Sequence, residues 1–227
     1  GPGAGSLTLA NLAQTLGPTC CLGSTPFIEA GHPRVRSLAR ELGGALDPPA
    51  RAARLFRFVR DELRYEFRAK LTRDEYRASL VLEDGKGFCV QKAVLLSALA
   101  RAVDVPAALV LCDLRDRSLS PKLTAALGTD TMFYHGLNAF YLGGRWLLAD
   151  ASLSPDVVDR KGYRTVEFDG SANALLAASR LDGSPHAEYL RFHGLFDDLP
   201  FDRMMEAFMM AYGQADLRAL AELGHRL

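Results

Sequence analysis

Hydrophobic positions are densest just after a pair of glycines. The stretch Gly85-Lys86-Gly87-Phe88-Cys89-Val90-Gln91-Lys92-Ala93-Val94-Leu95-Leu96-Ser97-Ala98-Leu99-Ala100-Arg101-Ala102 breaks regular structure at its glycines, then continues in good helix formers. Between Phe88 and Val103 only Gln91, Lys92, Ser97 and Arg101 are polar, which predicts a helix apolar round nearly its whole circumference and therefore buried. Upstream, Val35, Leu38, Ala39 and Leu42 recur at helical spacing and predict an amphipathic helix closed by Gly43-Gly44. Asp47-Pro48-Pro49 supplies an N-cap and an early proline for a second helix, with Ala52, Leu55, Phe56, Val59 and Leu63 as its apolar stripe. A short helix is expected over Leu7 to Leu16, and loops with short turns over residues 65–84.

Downstream the period changes. After Asp104-Val105-Pro106, the run Ala107 to Cys112 has the length of a buried strand. Residues 115–128, polar and broken by Pro121, read as a connection or a small helical excursion. From Met132 to Asp150 two aromatic-rich runs flank Gly143-Gly144, the signal of a two-residue hairpin. Folding about that turn pairs positions whose numbers sum to about 287, so His135 faces the region of residue 152 and lies beside Asp150. Thr165 to Phe168 reads as one more strand, and His186 to Pro200 as irregular. Phe201 to Tyr212 is the final helix, its methionines favouring core filling over a binding groove.

Chemistry enters at Cys89. It falls in the first turn of the buried helix, where unpaired N–H groups and the positive dipole end favour a thiolate. Alone, such a residue is as well explained as a small buried hydrophobe. The hairpin changes this, because an imidazole beside a carboxylate is what a thiol nucleophile needs. Cys89, His135 and Asp150 are thus the candidate catalytic residues. The Cys89 amide is one oxyanion donor, and Tyr65, Tyr76 or a side chain in residues 83–86 the open choices for a second.

Composition sets the bounds. With 227 residues, 48% of them hydrophobic, the chain can bury a sizeable core. Residues 1–24 read as a tag remnant (Gly1 to Ser6) plus an N-terminal segment, and 25–227 as one domain with its motif core at 48–155. Lys+Arg and Asp+Glu both number 27, so no nucleic-acid or membrane partner is expected. The arginine row Arg51, Arg54, Arg57, Arg60 and Arg64, with Asp61 and Glu62 beside it, reads as a solvated helix face. No secretory signal and no spanning segment is visible, which suggests a cytoplasmic location. The four cysteines, Cys20, Cys21, Cys89 and Cys112, show no metal-ligand spacing with the five histidines, so free thiols, no metal and no cofactor are expected. Glu83 and Asp84 lack calcium-loop spacing and read as solvated.

Residues 85–102, then Val105-Pro106-Ala107, then His135 to Asp150 resemble the core of the bacterial transglutaminase-like superfamily. The resemblance implies an α+β, papain-like arrangement: a cysteine-bearing helix packed on an antiparallel sheet that carries histidine and aspartate, with flanking helices. It implies a Cys89-His135-Asp150 triad and acyl transfer through a cysteinyl thioester. The substrate would be a peptide or small-molecule amide or thioester, a carrier-bound thioester included, resolved by water or by an amine. A silent binding or scaffold module with the same fold is the alternative. The chain departs from the family where A-W-N-E often follows the histidine: Gly136-Leu137-Asn138-Ala139 stands there, and the substrate does not transfer by analogy.

Overall fold

The apolar run around Cys89 forms a helix, Cys89–Ala102, whose side chains are buried from Cys89 through Arg101. The computed structural model describes residues 9–12, 15–216, 218, 219 and 222; the glycine-rich start Gly1 to Ser6 and residues 7, 8, 13 and 14 of the helix expected at 7–16 lie outside them, and residues 15 and 16 of that range are not helical. In chain order the elements are α1 (Leu9–Leu12), α2 (Pro33–Gly43), α3 (Pro48–Glu62), β1 (Arg64–Tyr65), α4 (Ala78–Asp84), β2 (Lys86–Gly87) and α5 (Cys89–Ala102). There follow β3 (Ala107–Asp116), α6 (Pro121–Leu127), β4 (Thr131–Leu142), β5 (Arg145–Ala149), α7 (Pro155–Lys161), β6 (Ala187–Phe196) and α8 (Phe201–Tyr212).

Four strands form an antiparallel sheet in the order β5-β4-β3-β6. Helix α5 packs on β4 and β3, with α2, α3 and α4 around it, so it is enclosed on every side. Against the opposite face Leu12 and Cys21 pack on Ala108, Val110, Cys112, Leu137 and Leu148. Burial on both faces explains why β3 reads as a continuous apolar run rather than an alternating one.

A fully buried helix must satisfy its polar side chains internally. Lys92 Nζ donates to the Arg60 carbonyl at 3.2 Å, and Gln91 Nε2 to the Glu75 carbonyl at 2.8 Å. Arg101 donates to the carbonyls of Ala107, Gly23 and Asp197 at 2.8–2.9 Å, tying three distant segments to the end of α5. The β4–β5 hairpin sets Asn138 opposite Ala149 and Ala139 opposite Leu148, the register expected from its turn. Gly143 and Gly144 carry φ of +58° and +79°, left-handed values that glycine reaches without strain.

Several local expectations are corrected. Residues 65–84 hold a full helix, α4, and a 3-10 turn at Asp74–Tyr76. Thr165 to Phe168 forms no strand; Val166 and Phe168 alternate because they bury their side chains, Phe168 against Phe56 and Phe140. The segment expected to be irregular contains β6, whose two register shifts against β3 erase any simple alternation. Arg60 in the arginine row is buried, donating to the Val166 carbonyl at 2.7 Å. The methionines of α8 divide: Met204 is fully buried, while Met209 and Met210 are 72% and 90% exposed. Glu83 and Asp84 lie in the last turn of α4 rather than in a loop.

Candidate active site

Three elements bring the predicted residues together. Cys89 opens α5, so its own N–H is among those without an intrahelical partner. His135 lies on β4, the strand that α5 crosses. Two residues on that strand fix how closely. At Gly136 a Cβ would come within 2.8 Å of Val90 Cα and 3.1 Å of Val90 N, so only glycine admits the helix this near. Asn138 Nδ2 then donates to the Ala93 carbonyl and to Ser97 Oγ, both at 2.8 Å, pinning helix to strand. Gly136, a departure from the common family motif, and Asn138, which keeps that motif's asparagine, thus shape the contact between helix and sheet.

Just before His135 the strand is bulged: Cys112 pairs with His135 and Leu114 with Met132, leaving Asp113 opposite two residues. One of these, Tyr134, has φ of +55°, a left-handed conformation costly for a tyrosine. The surroundings hold it there. Its N–H donates to Asp113 Oδ1 at 3.4 Å, its ring stacks on His193 at 4.2 Å, and Arg203 Nε donates to its hydroxyl at 2.8 Å. A bulge beside a functional side chain re-aims it, and here that side chain is His135.

Asp150 follows β5 and is buried. Its Oδ2 lies 2.7 Å from His135 Nε2 and accepts from the Tyr189 hydroxyl at 2.8 Å. Its Oδ1 accepts from Ser152 N and Ser152 Oγ at 3.1 and 2.6 Å. Burial works against its charge, but His135 and these hydrogen bonds prevail and hold its carboxyl below the usual carboxylate range. With Nε2 engaged by Asp150, the other ring nitrogen of His135 is left for Cys89, whose charge acts on the ring. Burial alone would lower the imidazole, yet Asp150 and Cys89 push it up to about 10. An imidazolium between a carboxylate and a sulfur is the charge arrangement of an activated thiol.

The oxyanion choices narrow. The Tyr76 hydroxyl donates to the Lys70 carbonyl at 2.8 Å, Lys86 pairs with Glu66, and Glu83 with Arg34. Tyr65 is free of such ties: among the described residues its hydroxyl has no hydrogen-bond partner. It pairs with Gly87 in the short β1–β2 ladder, two residues before Cys89. Its N–H donates to Ser154 Oγ at 2.8 Å, which fixes it there. Burial, and next the charge of Cys89, push its phenol well above its ordinary value, so it stays a donor. No group of three or more His, Cys, Asp or Glu side chains suited to a metal occurs among the described residues. Tyr189, Asn138 and the Tyr134 cluster were not legible in the sequence; only Ser152, at the Asp-x-Ser spacing of a local turn, carried a signal.

The family model of the transglutaminase-like superfamily matches residues 36–151, and the chain belongs to that superfamily. Its architecture, a cysteine-bearing helix on an antiparallel sheet with flanking helices, is that fold. Membership supports cysteine-based catalysis as the general chemistry. Among solved structures, the chain is similar to a candidate cysteine protease from Cytophaga hutchinsonii, at 19% identity and TM-score 0.44, covering 76% of this chain and 52% of that one. It is also similar to the periplasmic domain of TgpA from Pseudomonas aeruginosa, at 25% identity and TM-score 0.38, covering 52% of this chain and 42% of that one. The chain therefore spans about half the length or less of these two structures. Comparison with curated proteins gives no match. No helix among the described residues is long and apolar enough to cross a membrane.

Proposed function

We propose that the protein is an acyl-transfer enzyme in which Cys89 is the nucleophile, His135 the acid and base, and Asp150 the group that orients His135. The observation that carries this reading is the 2.7 Å contact between Asp150 Oδ2 and His135 Nε2, which leaves the other ring nitrogen free to serve the thiol. The Cys89 thiolate attacks the carbonyl of an amide or thioester, and a C–S bond forms. The oxyanion is received by the Cys89 N–H and the Tyr65 hydroxyl. His135 gives its proton to the departing amine or thiol as the old bond breaks, leaving a cysteinyl thioester. Water or an amine then attacks this thioester, loses a proton through His135 and restores the thiol. The acyl donor is a peptide or small molecule, carrier-bound thioesters included. Free thiols at all four cysteines, exposed Cys20 among them, favour a reducing compartment such as the cytoplasm.

Intact-mass trapping tests the reading. The protein is incubated with pools of amides, peptides and acyl thioesters, with Cys89→Ala and His135→Ala as controls. An adduct on Cys89, missing from Cys89→Ala and strongly reduced in His135→Ala, is the expected result. The absence of any adduct, together with iodoacetamide labelling of Cys89 no faster than that of Cys20, would sink it.

A further inference from the structure

Beside His135 a cavity of about 60 Å³ opens at the end of the sheet, large enough for a small head group. Its walls are mostly apolar, and its polar lining includes His186 and Lys161. His186 is only 3% exposed, and its Nδ1 is buried without a hydrogen-bond partner. Nδ1 is closed to the cavity, so only the rest of the ring edge can face a bound molecule. The ring is held firmly: it stacks flat on Tyr163 at 3.7 Å, the Tyr163 hydroxyl contacts Ser118 Oγ, and Ser118 donates to Asp116 Oδ1. Asp116 thus anchors the wall that presents His186. Lys161 takes part in no ion pair among the described residues. Burial lowers its ammonium against the pull of Asp116, which lines the same cavity but keeps more than 4 Å from it.

The side of the carbonyl served by this cavity follows from proton transfer. His135 must protonate the leaving amine and later deprotonate the incoming one, so the amine stands on the His135 side. By microscopic reversibility the leaving and the incoming amine share this place. We infer that the cavity between His135 and the His186–Lys161 pair is the site of the amine partner, and that it selects amines carrying a carboxylate at their far end. This rests on the acyl-transfer reading above. In the step concerned, the amine nitrogen bonds the thioester carbon, the C–S bond breaks, and the surplus proton passes through His135 to the medium.

The test measures how amines divide an acetyl-enzyme with water. Cys89 is acetylated with p-nitrophenyl acetate in the presence of 4-aminobutyrate or 6-aminohexanoate, of butylamine or hexylamine, or of the corresponding diamines. All are primary alkylamines of similar basicity, so the far end is the variable. The amino acids are expected to capture the acetyl group at about tenfold lower concentration than the alkylamines, a typical effect of one charge-assisted hydrogen bond. In Lys161→Met, and separately in His186→Phe, the ratio of amino acid to alkylamine capture within the same variant falls toward one. Equal capture of all amines, or preference for diamines, overturns the inference while leaving the acyl-enzyme reading intact. Failure to form any acetyl-enzyme on Cys89 overturns both. A second readout needs no acylation: 4-aminobutyrate shifts the His186 ring resonances in the wild type and not in Lys161→Met. Unmoved resonances in the wild type also refute the inference.

Discussion

At the scale of single residues, the site is a charge arrangement built in a dry place. Asp150 accepts four hydrogen bonds on two oxygens, so it is committed to its position and its ionised form. Asp150→Asn keeps the shape, removes the charge and lets the wrong tautomer of His135 form. Acylation by a thioester is expected to fall roughly a thousandfold or more, as in other triads, with circular dichroism unchanged. The ring also links to stability. Its folded value, about 10, lies above the ordinary 6.5, so the folded state binds more protons between those limits. The contribution of His135 is therefore fully present below about pH 6.5 and is lost as pH rises through about 10. Urea midpoints of the wild type and of Asp150→Asn are expected to converge as pH is raised from 6 to 10. A constant separation would show that the carboxylate does not govern the ring.

At the scale of elements, α5 serves two purposes that pull apart. It must be apolar enough to sit inside a shell of helices and strands, and it must present Cys89 at a fixed distance from β4. Gly136 and Asn138 answer the second need. In Gly136→Ala the new Cβ meets the Val90 backbone, which cannot swing aside as a side chain can. A loss of about 1–3 kcal/mol is expected, together with an activity loss larger than any shift in substrate affinity. Thermal melts and acylation rates check both. Lys92 is a cost of the first need: fully buried, it makes one hydrogen bond, and burial pulls its ammonium down to about 7 despite Asp150 nearby. The sign is opposite to that of His135. The folded state binds fewer protons than the unfolded chain between about 7 and 10.5, so this lysine destabilises most below pH 7 and not at all above 10.5. Lys92→Met is therefore expected to stabilise the protein more at pH 6.5 than at pH 9.5. A gain of equal size at both pH values would rule out this account.

At the scale of the whole molecule, the far end of α5 is a junction. Arg101 satisfies carbonyls of Gly23, Ala107 and Asp197, which come from the N-terminal segment, the sheet and the run into α8. Arg101→Leu leaves three of these acceptors without their donor, at a cost of about 1–3 kcal/mol each if no water replaces it. Hydrogen exchange should quicken around residues 20–25 and 195–200 before it does in β3 and β4. Uniform quickening would show that the arginine does not act as a local tie.

The sequence by itself determined the parts whose physics is local. The buried helix followed from uninterrupted apolar composition, the hairpin register from two adjacent glycines, and the meeting of His135 with Asp150 from that register. Order and residue type, Cys89 then His135 then Asp150, sufficed to resemble a superfamily that the match over residues 36–151 bears out. Tertiary structure alone decided the rest. Strand β6 pairs with β3 across seventy intervening residues and through two register shifts, so no short-range pattern announces it. Tyr189 reaches Asp150 only because of that pairing. The left-handed Tyr134, the glycine that lets α5 approach, and the unpartnered His186 are likewise contacts between segments far apart in the chain. Periodicity reports which face of an element is buried; it does not report what that face meets. For this reason the proposed nucleophile and base could be read from the residues, whereas the cavity proposed to choose their amine partner appeared only with the packed sheet.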